Sequence, residues 1–193
     1  MPKENIERAI AKGAGADADA SSFETVVYEG YGPEGVAVLV EAVTDNRNRT
    51  ASEVRHAFAK HGGNLGTTGA VAWQFERRGV VLVSTAGAEE DEDDLVRVAA
   101  DAGADDVELD GSSFVVSSAP EALAGVRSAL EDAGFTVESV ELAMIPKATV
   151  TVSDESKARQ IMRLVEGLED TEDVQDVYAN FDIPEAVLEA IVS

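Results

Sequence analysis

Cysteine is absent from the 193-residue chain. Its absence excludes disulfide bonds, thiolate nucleophiles and metal sites built on cysteine. Long apolar runs are lacking too, and no stretch reaches the roughly 18 residues that suggest a membrane-spanning helix. The first ten residues are charged and polar, unlike a signal or transit peptide. We therefore expect a cytoplasmic protein that has no membrane partner.

Basic side chains are scarce, with 15 Lys and Arg against 38 Asp and Glu, which gives a formal net charge of −23. A field of this sign repels nucleic acid on average, and the acidic excess is typical of a solvated surface. Residues 46–78 are the exception, since six of them are basic and two are acidic. Any contact with an anionic partner is expected in this segment.

Sequence patterns of catalysis and metal binding are also lacking. The chain has no Gly-x-Ser-x-Gly elbow and no phosphate loop ending in Gly-Lys-Ser/Thr. His56 and His61 are five residues apart, or about 140° around a helix, so they do not converge on one metal ion. The acidic run Glu89–Asp94 lacks the ligand spacing of a calcium loop. We expect no enzymatic activity, no cofactor and no metal site.

The remaining residues alternate between strand-like and helix-like patterns. Residues 2–12 read as a helix, followed by a weakly structured linker over 13–21. Strands are predicted at Phe23–Tyr31, Val36–Val43 and Ala70–Glu76, with a helix that starts at a capping box, Thr50–Glu53. A second set predicts strand 80–84, helix 90–102, a hairpin turning at Asp110-Gly111, a helix after a capping box at 118–121, and strand 135–143.

This second set has the β-α-β-β-α-β order of a ferredoxin-like domain. The chain then predicts strand 149–152, helix 154–168, strand 174–180 and a tail helix from Pro184. We infer an α+β fold of two ferredoxin-like-type α/β sandwich domains. One is discontinuous (22–78 plus 146–193), the other (79–145) is inserted into it, and residues 1–21 are a residual N-terminal helix and linker.

The best candidate for function is the run Asn46–Arg49, which lies beside a helix N-terminus that already favours anions. Two interpretations remain open: these residues bind phosphate, or the arginines pair with carboxylates and the side chains only hold the turn. The predicted nucleic-acid and phosphate-binding residues are Asn46, Arg47, Asn48, Arg49, Arg55, Lys60, Arg77 and Arg78.

Two further segments have alternative interpretations. The glycine-rich run 62–69 is either a flexible connection or a loop that approaches a phosphate backbone closely. Trp73 and Phe75 could stack on bases, but their alternation with Val71 favours positions in the core.

Six blocks of sequence, in order, resemble the YebC family: residues 1–10, 28–33 (YEGYGP), 44–50 (TDNRNRT), 62–66 (GGNLG), 144–146 (MIP) and 180–184 (NFDIP). The resemblance implies a helical first domain, of which only the last helix remains here, and two α+β domains, one inserted in the other. It also implies a transcriptional regulator that binds DNA. Relatives include a mitochondrial translational activator of cytochrome c oxidase subunit I and bacterial proteins linked to ribosomes.

The function expected from the sequence is therefore transcriptional regulation through DNA binding by basic residues. The first alternative is a ribosome-associated translation factor that contacts RNA, and the second is a small-molecule-sensing ferredoxin-like module. Because few basic side chains point outward from the helix at 50–61, we expect contact with the nucleic-acid backbone more than readout of bases. We expect the protein to be a monomer.

Overall fold

A computed structural model describes residues 23–86 and 91–193. The chain divides into two compact units, one formed by residues 23–75 with Pro146–Ser193 and the other by Glu76–Ile145. The helix predicted at 2–12 and the linker after it lie outside the described residues. No helix in the described part of the chain is long and apolar enough to cross a membrane.

The strands in chain order are β1 (Glu24–Tyr31), β2 (Ala37–Thr44), β3 (Asn64–Leu65), β4 (Phe75–Ser84), β5 (Ala104–Asp110), β6 (Ser113–Ser118), β7 (Val137–Pro146), β8 (Val150–Thr151), β9 (Val174–Ala179) and β10 (Phe181–Asp182). The helices are α1 (Arg47–Lys60), α2 (Glu92–Asp101), α3 (Leu123–Asp132), α4 (Glu155–Glu169) and α5 (Glu185–Val192).

The first unit is a sheet of order β3-β1-β2-β9 with helices packed on it. β1 pairs antiparallel with β2 and β3, and β2 pairs antiparallel with β9. Alternate side chains of β2 meet the apolar stripes of α1 and α4, which gives a buried core that includes Val38, Val40, Phe58, Ile161 and Leu164. β8 and β10 form a short parallel pair beside this sheet.

The second unit is a sheet of order β5-β6-β4-β7, which is the strand order of a ferredoxin-like domain. β5 and β6 form the predicted hairpin, and Gly111 adopts the positive φ of 59° that its turn requires. Helices α2 and α3 contribute Leu95, Ala99, Val126 and Leu130 to a second core. The predicted α+β class and the β-α-β-β-α-β order of this set are confirmed.

Three local predictions are wrong. Helix α1 begins at Arg47, with Asn46 as its N-cap, so the capping box at Thr50–Glu53 does not form. Ser118 ends strand β6 and caps no helix, because α3 begins only after a short 3-10 turn at Pro120–Ala122. The strand predicted at 70–76 is a 3-10 turn over Ala72–Gln74 that leads into β4.

Candidate nucleic-acid interface

The predicted phosphate-binding run forms the first turn of α1. Thr44 Oγ1 accepts a hydrogen bond from the Asn46 backbone N–H at 2.9 Å, and Asn46 Oδ1 accepts one from the Arg49 N–H at 3.1 Å. The second bond is an N-cap, which satisfies a backbone donor that has no partner within the helix. Thr50, buried one turn into the helix, donates from Oγ1 to Asp173 Oδ2 at 2.7 Å. Asn46 and Thr50 therefore hold the turn.

Arg49 belongs to the same network. Its Nη2 donates to Asp173 Oδ2 at 2.8 Å and to Asp45 Oδ1 at 3.1 Å, and its side chain is 43% exposed. The hydrogen bond to Asp173 is the main cause that raises the pKa of Arg49. This is the arrangement of the second interpretation, in which carboxylates pair with the arginines. Phosphate binding by Arg49 itself remains a prediction.

Arg47 is the more accessible arginine of the run. Its side chain is 64% exposed, and Nε lies 3.4 Å from Oε1 of the exposed Glu24. Surface pairs of this kind contribute little and break readily. Asn48 is also exposed. These two side chains are the part of the run that remains available to an anionic partner.

The other predicted basic residues are dispersed. Arg55 is exposed on α1, about 140° around the helix from Lys60. Arg77 and Arg78 lie on β4 in the second unit. Arg78 is half-buried and pairs with Asp105 and with Glu76, the latter at 3.7 Å. The structure does not gather the eight predicted residues into one patch within either unit.

A basic groove between α1 and α4 joins one predicted residue, Lys60, to residues that the sequence did not indicate. The groove has a volume of about 330 Å³ and is lined by Lys60, His61, Ser156, Arg159, Gln160 and Arg163. The four α4 residues recur at the spacing of one helical face, and α1 ends against them. Among the residues that the structure describes, three permanent cations and no carboxylate line the groove, although the chain carries a net charge of −23.

The pKa of His61 is shifted by burial and by the positive charges of this basic groove. Burial lowers its pKa from the ordinary value of 6.5, and the nearby charges of Lys60 and Arg163 lower it further. His61 is therefore neutral near pH 7 and supplies a ring N–H rather than a charge. Positive charge concentrated in a concave surface attracts anions.

A neighbouring depression differs in charge. It shares Lys60 and His61 with the basic groove but adds three carboxylates, being lined also by Glu53, His56, Ala57, Gly167, Asp170, Thr171 and Glu172. An anion is therefore expected on the α4 side of Lys60. Within the described residues, no group of three or more His, Asp or Glu side chains is placed to hold a metal ion.

The glycine-rich run 62–69 does approach a backbone closely, but this backbone is that of strand β1 and not that of a nucleic acid. Leu65 and Asn64 pair with Gly30 and Tyr31 in the sheet. A Cβ atom on Gly63 would lie 2.5 Å from the Tyr31 carbonyl oxygen, so the position has no room for a side chain. The interpretation of this run as only a flexible connection is wrong over β3.

Trp73 lies on the surface, so its predicted place in the core is wrong. Val71 and Phe75 are buried, whereas Trp73 is 66% exposed. The segment before it is held by Glu29, whose buried carboxylate accepts N–H bonds from Gly69, Val71 and Ala72 at 2.6, 3.0 and 2.6 Å. These bonds outweigh the effect of burial and lower the pKa of Glu29.

The second unit carries an apolar groove of about 390 Å³ on its surface. It is lined by Pro120, Leu123, Ala124, Arg127, Ser128, Glu131, Val140 and Leu142. The groove is open to solvent and differs from the closed pocket that a small-molecule sensor requires. Small-molecule sensing remains a prediction.

Comparison with known proteins places both units in one family. Residues 23–181 match the model of the TACO1/YebC second and third domain. The chain is 53% identical over 188 residues to a "probable transcriptional regulatory protein" of Rubrobacter xylanophilus, covering 97% of this chain and 74% of that protein. A protein of the same name from Symbiobacterium thermophilum is 54% identical over 186 residues, covering 96% of this chain and 76% of the relative.

A solved structure agrees with these relatives. The crystal structure of a conserved hypothetical protein from Aquifex aeolicus matches with a TM-score of 0.80 and 48% identity, over 96% of this chain and 75% of that one. The family match covers most of the chain, and the relatives carry the same residue as this chain at about half of the aligned positions. The chain therefore belongs to the TACO1/YebC family, as its sequence blocks suggested.

Proposed function

We propose that this protein regulates gene expression by binding the phosphate backbone of nucleic acid, and that it performs no catalysis. The observation that carries the proposal is the basic groove, because Lys60, Arg159 and Arg163 converge there and none of its described lining residues is a carboxylate. Arg47, Asn48 and Arg55 would extend the contact from α1. The remaining residues predicted from the sequence to bind phosphate are Asn46, Arg49, Arg77 and Arg78.

The acidity of the whole chain does not prevent such a contact. At physiological ionic strength, charges more than about 8 Å apart are largely screened. A phosphate in the basic groove would interact with three adjacent cations at short range, where screening is weak. Displacement of counterions from the nucleic acid would add to affinity and make binding depend strongly on salt.

DNA is the first candidate target, because the relatives are named probable transcriptional regulatory proteins. RNA is the second, and the exposure of Trp73 favours it, since unpaired RNA bases stack on aromatic side chains. Specific readout of duplex DNA needs several side chains aimed at base edges. On α1, Arg47, Asn48 and Arg55 are few for such a role, so contact with the backbone is the proposed mode for either target.

The test is a binding measurement on the full chain and on the Arg159→Ala/Arg163→Ala double variant. Fluorescence anisotropy with a labelled DNA duplex and with a labelled RNA hairpin compares the two targets directly. We expect the double variant to bind its target at least about ten-fold more weakly, which corresponds to ~1.4 kcal/mol.

The matched control is the Arg97→Ala/Arg127→Ala variant. It removes two positive charges as well, but from the exposed faces of helices α2 and α3 in the second unit, where Arg97 pairs with Asp94 and Arg127 with Glu131. Equal weakening in both variants would mean that net charge alone matters and would remove the basic groove as the site. Tighter binding of the hairpin than of the duplex would favour the second candidate.

A further inference from the structure

The only tryptophan of the chain, Trp73, lies exposed on the surface next to a hydrogen-bonded turn. Trp73 sits in the short 3-10 turn Ala72–Gln74, and Glu29 fixes the backbone before it through three N–H bonds. Glu29 is only 4% exposed, so its ionised carboxylate requires all of these donors. A buried charge therefore holds in place a turn that presents a large apolar ring to solvent.

The polar groups of Trp73 and of the nearby Tyr31 already form hydrogen bonds within the protein. Trp73 Nε1 donates to the Ala70 carbonyl oxygen at 3.1 Å, and the Tyr31 hydroxyl donates to the same oxygen at 3.2 Å. Two aromatic side chains, 66% and 38% exposed, thus converge on one atom. With their donors satisfied, what they offer a partner is ring surface rather than hydrogen bonds.

The backbone of a basic residue, Lys147, adjoins this turn. The Lys147 backbone N–H donates to the carbonyl oxygen of Gln74, the residue after Trp73, at 2.8 Å, and the Lys147 side chain is exposed. Proteins that bind single-stranded nucleic acid combine aromatic rings, which stack on bases, with cations that contact the phosphates. Trp73 supplies such a ring, and the exposed Lys147, whose backbone adjoins the turn, would supply the cation.

We propose that Trp73, supported by Tyr31, stacks on an unpaired base of single-stranded RNA. A duplex covers the faces of its bases, whereas folded RNA exposes unstacked bases in loops and bulges. The inference rests on the proposed nucleic-acid function and names the chemical group that this second surface would recognise.

The test uses the intrinsic fluorescence of Trp73 in the full chain. A single-stranded RNA without self-complementarity is titrated into the protein, and anisotropy of the labelled RNA gives the affinity in parallel. We expect quenching of Trp73 emission that saturates together with the anisotropy. Trp73→Ala is expected to weaken binding about ten-fold and Trp73→Phe much less, since phenylalanine retains an aromatic face.

Leu109→Ala is the matched control, because Leu109 is 61% exposed on the second unit and should leave the affinity unchanged. RNA binding without quenching, or with full affinity in Trp73→Ala, would overturn the stacking and leave phosphate binding intact. Absence of single-stranded RNA binding would also overturn the stacking. The proposed function would then be judged by the duplex and hairpin measurements with the Arg159→Ala/Arg163→Ala variant. Equal quenching by single-stranded DNA of the same sequence would overturn the assignment to RNA.

Discussion

Replacing Asp173 with alanine removes the carboxylate that ties the segment before β9 to the N-terminal turn of α1. This carboxylate accepts hydrogen bonds from Thr50 Oγ1 at 2.7 Å and from Arg49 Nη2 at 2.8 Å, and its side chain is 9% exposed. Thr44 Oγ1 contributes a longer bond at 3.3 Å. If Thr44, Arg49 and Thr50 mainly stabilise the fold, removal of the Asp173 carboxylate that they contact must lower the free energy of unfolding.

The expected cost follows from these contacts. A buried hydrogen bond to a charged group contributes about 1.5–3 kcal/mol. The ion pair with Arg49 adds about 0.5–1 kcal/mol, because Arg49 is 43% exposed and its charge is partly screened. The hydroxyls of Thr44 and Thr50 lie 2.7 Å apart and can bond each other once the carboxylate is removed, so we expect no larger penalty. We expect Asp173→Ala to lower the free energy of unfolding by about 3 kcal/mol.

Urea unfolding followed by Trp73 emission measures the change in the free energy of unfolding. Trp73 and Asp173 both belong to the first unit. Asp173→Asn keeps one acceptor oxygen and should lose roughly half as much. Arg47→Ala is the control and should change stability by less than about 0.5 kcal/mol, because its pair with Glu24 is exposed. A loss below about 0.5 kcal/mol in Asp173→Ala would refute the structural role of the network.

Three further predictions concern other positions. Glu29→Gln should lower the free energy of unfolding at pH 7 by about 2 kcal/mol. Because the pKa of Glu29 is lowered in the folded state, its stabilising effect is present above its ordinary pKa and is lost as pH falls through the lowered value. Urea unfolding at neutral and acid pH should show the difference between wild type and variant shrinking in acid, and a constant difference would contradict this. The pKa of His61, followed by NMR, should lie below 6.5 and should rise both in Arg163→Ala and on addition of inorganic phosphate; no response to phosphate would count against an anion in the basic groove. Gly63→Ala should lower stability in thermal unfolding by about 2 kcal/mol, because its Cβ would lie 2.5 Å from a carbonyl oxygen of β1, whereas Gly125→Ala in α3 has space and should stabilise by up to about 1 kcal/mol.

Elements governed by local signals could be predicted from the sequence. Helix α4 was expected at 154–168 and spans Glu155–Glu169, because its apolar residues recur at helical spacing and Asp154 caps its first turn. The β5–β6 hairpin followed from Asp110-Gly111, a pair that suits a tight turn. In both cases the information lies within a few residues of the element itself.

Elements governed by distant partners could not be predicted. Asn46 and Thr50 are both acceptable N-cap residues. The Thr50 hydroxyl instead bonds the buried Asp173, more than 120 residues later, and Asn46 is the N-cap. The alternation of Val71, Trp73 and Phe75 favoured a strand. Glu29 instead holds the preceding backbone in a turn, which buries the first and third residues and exposes Trp73.

The basic groove was missed for a related reason. Arg159 and Arg163 lie on the polar side of α4, where charged residues are ordinary. Only the packing of α1 against α4 brings Lys60, about a hundred residues earlier, next to them. No local pattern in the sequence carries that information.

The salt dependence of nucleic-acid binding tests the central claim most directly. For duplex DNA, the logarithm of the binding constant falls with the logarithm of salt concentration by about 0.9 per phosphate neutralised. If the basic groove holds phosphates, the slope of the Arg159→Ala/Arg163→Ala variant should be shallower than that of the wild type by about 2. The Arg97→Ala/Arg127→Ala control should keep the wild-type slope. Equal slopes for wild type and both variants would contradict phosphate binding in the basic groove.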